Sequence, residues 1–418
     1  MSKFISNLRR SYRLLQGVPK FLIQSLMVSL WFAILTFPIM VIQVNYTANT
    51  VEWQWGRLLL ILFGGFAGSF IWFLALDRKD NKPSNTSGTY SVIKGRLLDY
   101  YASHKKLVMA IVFAIILLIP FASSSYFTRV LISAMIMMVL GVGLNIVVGF
   151  GGLLNLGYAA FYAVGAYTYG LLNYHFGIGF WIALPISAFT SVIAGLLVAL
   201  PVIRLRGDYL AIITLAFGEI TRIVLENWGE FTFGPSGIKG IDKPGLFGID
   251  LSPRGEIIYV YIVVFLVLLL TILISRRMEN SRIGRTWESL RENEIAARSM
   301  GINVPRTKLL IFAVGACIAG VAGALFATNI SYINPKSFAL LESIKILCVV
   351  VLGGMGSIPG VIVGSIVLQV IPEWLRPLQD YRLLVFGALL VVMMIFKPNG
   401  LFPKVRKSYV FTKEESEQ

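Results

Sequence analysis

Seven polar residues stand inside long apolar runs of this chain, and their types and spacing bear on chemistry. Asn145 and Asn155 flank a glycine pair in VVGFGGLLNLGYAAFYAVGAY, residues 147–167. Thr214, Glu219 and Arg222 share a second run. The last two are three positions apart, so on a helix they fall on one face and can pair. Glu342 and Lys345 repeat that spacing at the start of a third run. Polar groups at such places are costly in hydrocarbon and point to a pathway for a polar solute. The alternative for each charged pair is a structural ion pair near a membrane interface. No paired carboxylates, histidine cluster or activated nucleophile accompany them, and no G-x-x-x-x-G-K-[ST] phosphate cradle occurs in the chain. No catalytic residue, metal site or cofactor is therefore expected, and an enzyme reading has little to stand on.

A second constellation is the charged island RENEIAARSMGINVPRTK at 291–308, set between two greasy runs. Ser281 is a fair N-cap, and Gly284 to Met300 suits a helix by composition. Ile283, Trp287 and Leu290 fall at i, i+4 and i+7. Gly301 can end the helix in the left-handed conformation, with Pro305 just beyond. Ala296, Ala297 and Gly301 are small enough for another surface to approach the backbone. The island reads as a docking element for a partner protein. The competing reading is an amphipathic helix on the inner leaflet, which the arginine-rich flanks and Trp287 also suit.

The elements that must position these residues are membrane helices. Of 418 residues, 56% are hydrophobic and only 14% charged, about half the charged share of a soluble domain; the mean hydropathy is +0.76. About twelve apolar segments follow one another: 21–44, 58–76, 107–121, 128–149, 158–176, 179–203, 209–226, 257–275, 309–328, 339–353, 358–371 and 382–396. Several reach the roughly 18 residues that cross hydrocarbon. The fold class is an all-α polytopic membrane protein of about 10 to 12 helices, with broken or re-entrant helices near 339–371, where the runs are short. The net charge of +16 follows from Lys and Arg gathered in loops 77–106 and 276–308, the turn after 203 and the tail. With the N-terminus inside, twelve crossings put all of these on the cytoplasmic side, and the C-terminus with them. Nucleic acid is excluded as a partner; membrane lipid is the surroundings. Cys317 and Cys348 lie in apolar runs and read as small buried hydrophobes. The chain divides into a two-helix hairpin (1–76), a polar cytoplasmic linker (77–106), a core (107–400) and a tail (401–418). A second glycine-rich turn, VVLGGMGSIPGVIVGSIV at 350–367, resembles the first and suggests an internal duplication; close helix packing through small residues is the other explanation.

Glu294-x-Ala296-Ala297 followed by Gly301 and Ile302 resembles the coupling motif of ABC importer permeases. The longer stretch ENEIAARSMGINVPRTKLLIFAVGACIAGVAGALFA resembles the LivM-type permease of branched-chain amino-acid importers. So do GLNIVVGFGGLLNLGYAAFYAVGAY, RGDYLAIITLAFGEITRIVLENW, TFGPSGI (232–238) and VVLGGMGSIPGVIVGS, in the same order, across residues 107–397. One departure is Phe233, where a second glycine is expected. The resemblance implies a bacterial inner-membrane importer for leucine, isoleucine or valine. Its partners would be a LivH-type permease, two cytoplasmic ATP-binding cassette ATPases that hydrolyse the ATP, and a periplasmic or surface substrate-binding protein. It makes 284–301 the coupling helix, with Trp287, Leu290, Glu294, Ala296, Ala297 and Gly301 as its contact residues. It also makes Asn145, Asn155, Thr214, Glu219, Arg222, Glu342 and Lys345 the candidates for lining the path of a zwitterion. A urea or amide importer is the nearest rival, and a secondary transporter or channel without ATPases a more distant one.

Overall fold

A computed structural model describes residues 42–45, 50–53, 117–203, 205, 207–245, 252–374, 387, 391, 397 and 400–402. The apolar run 58–76, nearly all of the run 382–396, the linker 77–106, and nearly all of the 401–418 tail lie outside the described residues, as do both termini. The chain forms two compact units, Met1–Val108 and Met109–Gln418. In the first, β1 (Ile42–Asn45) and β2 (Thr50–Trp53) pair antiparallel, Ile42 opposite Trp53. The run 21–44, read as a helix to its end, thus finishes in a strand. Its β-branched Ile42 and Val44, followed by Asn45, favour extended backbone and a turn.

The second unit is helical. Ser124 caps α1 (Ser125–Leu144) by accepting from the Phe127 N–H, and α1 runs on into a π turn at Asn145–Phe150. Then follow α2 (Tyr158–Phe176), α3 (Phe180–Val202) and α4 (Asp208–Asn227). A Gly- and Pro-rich loop carries β3 (Ile238–Lys239). Next come α5 (Pro253–Glu279), α6 (Arg282–Glu292), α7 (Glu294–Ser299) and α8 (Val304–Ile330). After β4 (Tyr332–Ile333), which pairs with β3, come α9 (Leu340–Gly353) and α10 (Ile358–Trp374). Among the described residues, four helical stretches, 125–150, 180–202, 253–279 and 304–330, are long and apolar enough to cross a membrane. α9, at 14 residues, spans only about 21 Å at the helical rise, less than the hydrocarbon core. That agrees with the short helices expected near 339–371.

α1 is the central helix. Nearly every residue from Ile132 onward is buried, and it packs on α5, α8, α9 and α10. α8 makes its closest contacts with α2 and α3. The approach is backbone to backbone: a Cβ on Gly165 of α2 would collide with the Gly320 carbonyl of α8. In lipid, where no hydrophobic force drives helices together, such close van der Waals packing is what holds a bundle.

α2 begins inside the bundle rather than at its edge. The Tyr158 hydroxyl donates to the Gly315 carbonyl at 2.9 Å. Gly315 lies eleven residues into α8, roughly 17 Å along its axis. Backbone broken at that depth needs its own hydrogen-bond partners, and they are present. The Leu156 N–H donates to Thr214 Oγ1 (3.1 Å), the Gly157 N–H to Asn155 Oδ1 (2.9 Å) and the Ala159 N–H to Ser343 Oγ (2.9 Å).

Candidate functional site: a charged island and a polar helix face

The island is two helices, not the single one expected over 284–301. Ser281 caps α6 as expected, accepting from the Gly284 N–H. Asn293 breaks the run: its backbone is extended (φ −159°, ψ 110°), and its Oδ1 accepts from the N–H groups of Ile295 (2.9 Å) and Ala296 (3.1 Å). Asn is among the strongest N-caps, and a capping side chain wins here over average helix propensity. Gly301 does take the left-handed conformation, φ +84°, and the Ile302 N–H closes the helix end on the Ala297 carbonyl.

Burial divides the expected contact residues into two groups. Trp287 is fully buried and Leu290 and Ala297 nearly so. α6 packs on α5, α8 and the π turn of the chain's own bundle, and the buried Trp287 and Leu290 fasten the island there. Ile283, the third residue of their apolar stripe, stays exposed. What remains outward is Ala296 and Gly301 with two large apolar side chains not singled out from sequence, Ile295 (65% exposed) and Met300 (84%). Glu294 is tied down. Its carboxylate lies 3.3 Å from the Nζ of Lys308 on α8 and 3.6 Å from an Arg298 nitrogen. Lys308 is itself buried, and its Nζ also donates to the Leu205 carbonyl (3.2 Å) in the turn between α3 and α4. One ammonium thus joins α7, α8 and that turn. The sequence offered Lys308 only as one cation in a basic loop; its depth was the missing signal.

The seven polar residues separate into two groups. Asn145, Asn155 and Thr214 are buried and bonded to backbone. Their side-chain oxygens accept from backbone N–H groups at the broken helices. Asn145 Oδ1 accepts from the Gly356 N–H at 2.8 Å, which joins the two glycine turns. The charged pairs are different. Arg222 Nε lies 2.9 Å from Glu219, as the spacing implied, and its Nη1 lies 2.6 Å from Glu226, which had not been singled out. Lys345 lies 2.8 Å from Glu342. All five side chains remain partly exposed. They belong to α4 and the start of α9, which touch. α4 buries only Leu210, Ala211 and Thr214, so most of its surface is uncovered. By contrast, an apolar cavity of about 390 Å³ between α1, α5 and α10, lined by residues such as Met135, Met138, Phe265 and Leu268, presents no charge to a zwitterion.

Residues 126–394 match the family model described as branched-chain amino acid transport system / permease component. The high-affinity branched-chain amino acid transport system permease protein LivM of Escherichia coli (strain K12) is 41% identical over 380 residues, 86% of this chain and 88% of that protein. LivM of Salmonella typhimurium is 40% identical over the same extent. The chain belongs to this permease family. As a permease of the family, it is also similar to a second type of subunit. The Escherichia coli (strain K12) permease protein LivH is 36% identical over 154 residues, 35% of this chain and 48% of that protein. No solved structure matches the chain.

Proposed function

We infer that the chain is the membrane-spanning permease subunit of an ATP-driven importer for branched-chain amino acids, acting beside a second, LivH-like permease. The observation that carries this is the island. It is a short helix whose apolar tip, Ile295, Ala296, Met300 and Gly301, points outward while Glu294 and Lys308 fix its base to α8. An outward apolar tip on a rigidly anchored helix suits insertion into a cleft of another protein. That partner is a cytoplasmic ATPase, one of a pair, because this chain holds no phosphate cradle. ATP-driven closure of the ATPases then moves the island and switches access, a two-state element biased from both sides.

Five charged side chains of α4 and α9 support a pathway on that side. Charges at membrane depth face protein or water, not lipid, so this face turns toward the second permease and the path between them. Its mixed charges suit a zwitterion handed over by an outer binding protein. The basic loops support a reading with the island in the cytoplasm and the loop around β3 outside, in the inner membrane of a bacterium.

The test is purification of the tagged chain from its host membrane with everything bound to it, followed by uptake of labelled leucine in proteoliposomes. Co-purification of a homologous permease and ATP-binding cassette ATPases is expected, lost in a Glu294→Lys plus Gly301→Asp variant, with uptake competed by isoleucine and valine but not urea. A chain that purifies alone, with flux untouched by that variant, sinks the reading.

A further inference from the structure

We propose that Arg291 and Asn145 are positioning residues that carry movement of the island to both glycine turns, a mechanical line from the ATPase contact into the bundle. The proposal rests on the reading of the island given above. The Nη1 of Arg291, the penultimate residue of α6, donates to the carbonyl of Gly149 in the π turn. That carbonyl sits at a helix end, where carbonyls lack partners along the chain and a cation is favoured. The Arg291 side chain also lies flat on Gly152, where a Cβ would come 2.7 Å from Arg291 Cγ. Gly149 packs in turn against the Asn145 amide, with no room for a side chain between them. The Asn145 Oδ1 then accepts from the Gly356 N–H at 2.8 Å.

Every link in this line is a direct contact with glycine backbone at one end. Close packing leaves little slack: a Cβ on Gly149 would come within 2.6 Å of the Gly356 nitrogen as well as striking Asn145. Gly356 is itself in a left-handed turn (φ +89°) between α9 and α10, so the line reaches the helix whose other end carries Glu342 and Lys345. At its origin, the buried Trp287 and Leu290 make α6 move as one body with its arginine. The π turn is where the line enters α1, and such turns are frequent at functional sites. A push on α7 therefore reaches the ends of α1, α9 and α10 together, while Lys308 carries it to α8 and the α3–α4 turn.

The experiment uses the full complex of both permeases, ATPases and binding protein in proteoliposomes, measuring co-purified ATPase, ATP turnover and leucine uptake. Arg291→Met keeps the stem over Gly152 and removes the donor. It is expected to assemble normally yet give about tenfold less uptake per ATP hydrolysed, with Arg291→Lys recovering part of the loss. Asn145→Leu is expected to act alike, and the double variant to be no worse than the poorer single one, since residues in one line are not additive. Unchanged uptake per ATP in Arg291→Met overturns the proposal, and so do effects that multiply in the double variant. Loss of ATPase from Arg291→Met also overturns it, by making Arg291 a docking residue, and leaves the island reading intact. If the wild-type complex shows no ATP-driven uptake, it is the importer reading that fails. Should Asn145→Leu not accumulate in the membrane, the partly exposed Arg291 alone decides.

Discussion

Glu294 and Lys308 form an unequal pair, and the inequality is testable. Lys308 is buried with one other acceptor, the Leu205 carbonyl; Glu294 is partly exposed and has Arg298 as a second cation. Removing the carboxylate's charge leaves a buried ammonium without its counter-charge, a loss of up to about 3 to 5 kcal/mol for buried pairs. Removing the ammonium leaves a part-solvated carboxylate that keeps a partner. Glu294→Gln should therefore lower the melting temperature of the solubilised protein more than Lys308→Met, and Glu294→Gln with Lys308→Met should melt above Glu294→Gln alone. The reverse order would mean the pair does not hold α7 to α8. Phe233 poses a second residue-scale question. It stands where the family resemblance leads one to expect glycine, and it takes the left-handed conformation, φ 61°, that glycine takes freely. Its ring packs edge-on against Tyr174 at 4.8 Å and beside His175 at 6.2 Å. The backbone penalty of about 1 to 2 kcal/mol and the aromatic contacts, about 0.5 to 1.5 kcal/mol, nearly cancel. Phe233→Gly should leave stability within about 1 kcal/mol of wild type. Phe233→Val keeps the backbone strain and loses the rings, so it should be clearly less stable in the same thermal melt.

At the scale of elements, the break at Asn293 has its own consequence. The Asn293 side chain is the N-cap of a six-residue helix, and an N-cap is worth about 1 kcal/mol, a large share for one so short. Asn293→Ala should blur the start of α7 and reduce co-purified ATPase, while Asn293→Asp, an equal cap, should retain it. Equal retention by both would mean that the cap does not set the docking surface. This break also marks what could be read in the sequence. The long runs at 128–149, 179–203, 257–275 and 309–328 became helices within a few residues of their expected bounds, because apolar length alone decides a membrane helix. The Glu219–Arg222 and Glu342–Lys345 pairs were legible because they are local, set by helical spacing. Asn293 was weighed as one residue of a helix when its value was as a cap. The burial of Trp287, Leu290 and Lys308, the depth at which α2 starts, and the link from Asn145 to Gly356 join residues far apart in the chain. No periodicity encodes which face a bundle will bury.

For the molecule as a whole, everything rests on which end faces which compartment. The island, the ends of α1, α3, α5 and α9, and the starts of α4, α8 and α10 gather at one end, as the contacts of Lys308 with Leu205, Arg291 with Gly149 and Asn145 with Gly356 require. The loop bearing Phe231 and Phe233 packs with the last turn of α2 at the opposite end. Basic residues concentrate at the island end, which the proposed topology turns to the cytoplasm. Met300 and Phe176 are among the most exposed side chains, one at each end. Cys317 and Cys348 lie within helices, partly buried, and can be replaced by Ala beforehand. In that background, a membrane-impermeant maleimide should label Phe176→Cys in intact spheroplasts, and Met300→Cys only after the membrane is opened. Added ATPase should then protect Met300→Cys but not Phe176→Cys. Labelling of Met300→Cys from outside would place the island where no ATP is present, and both the importer reading and the line through Arg291 would fall with it.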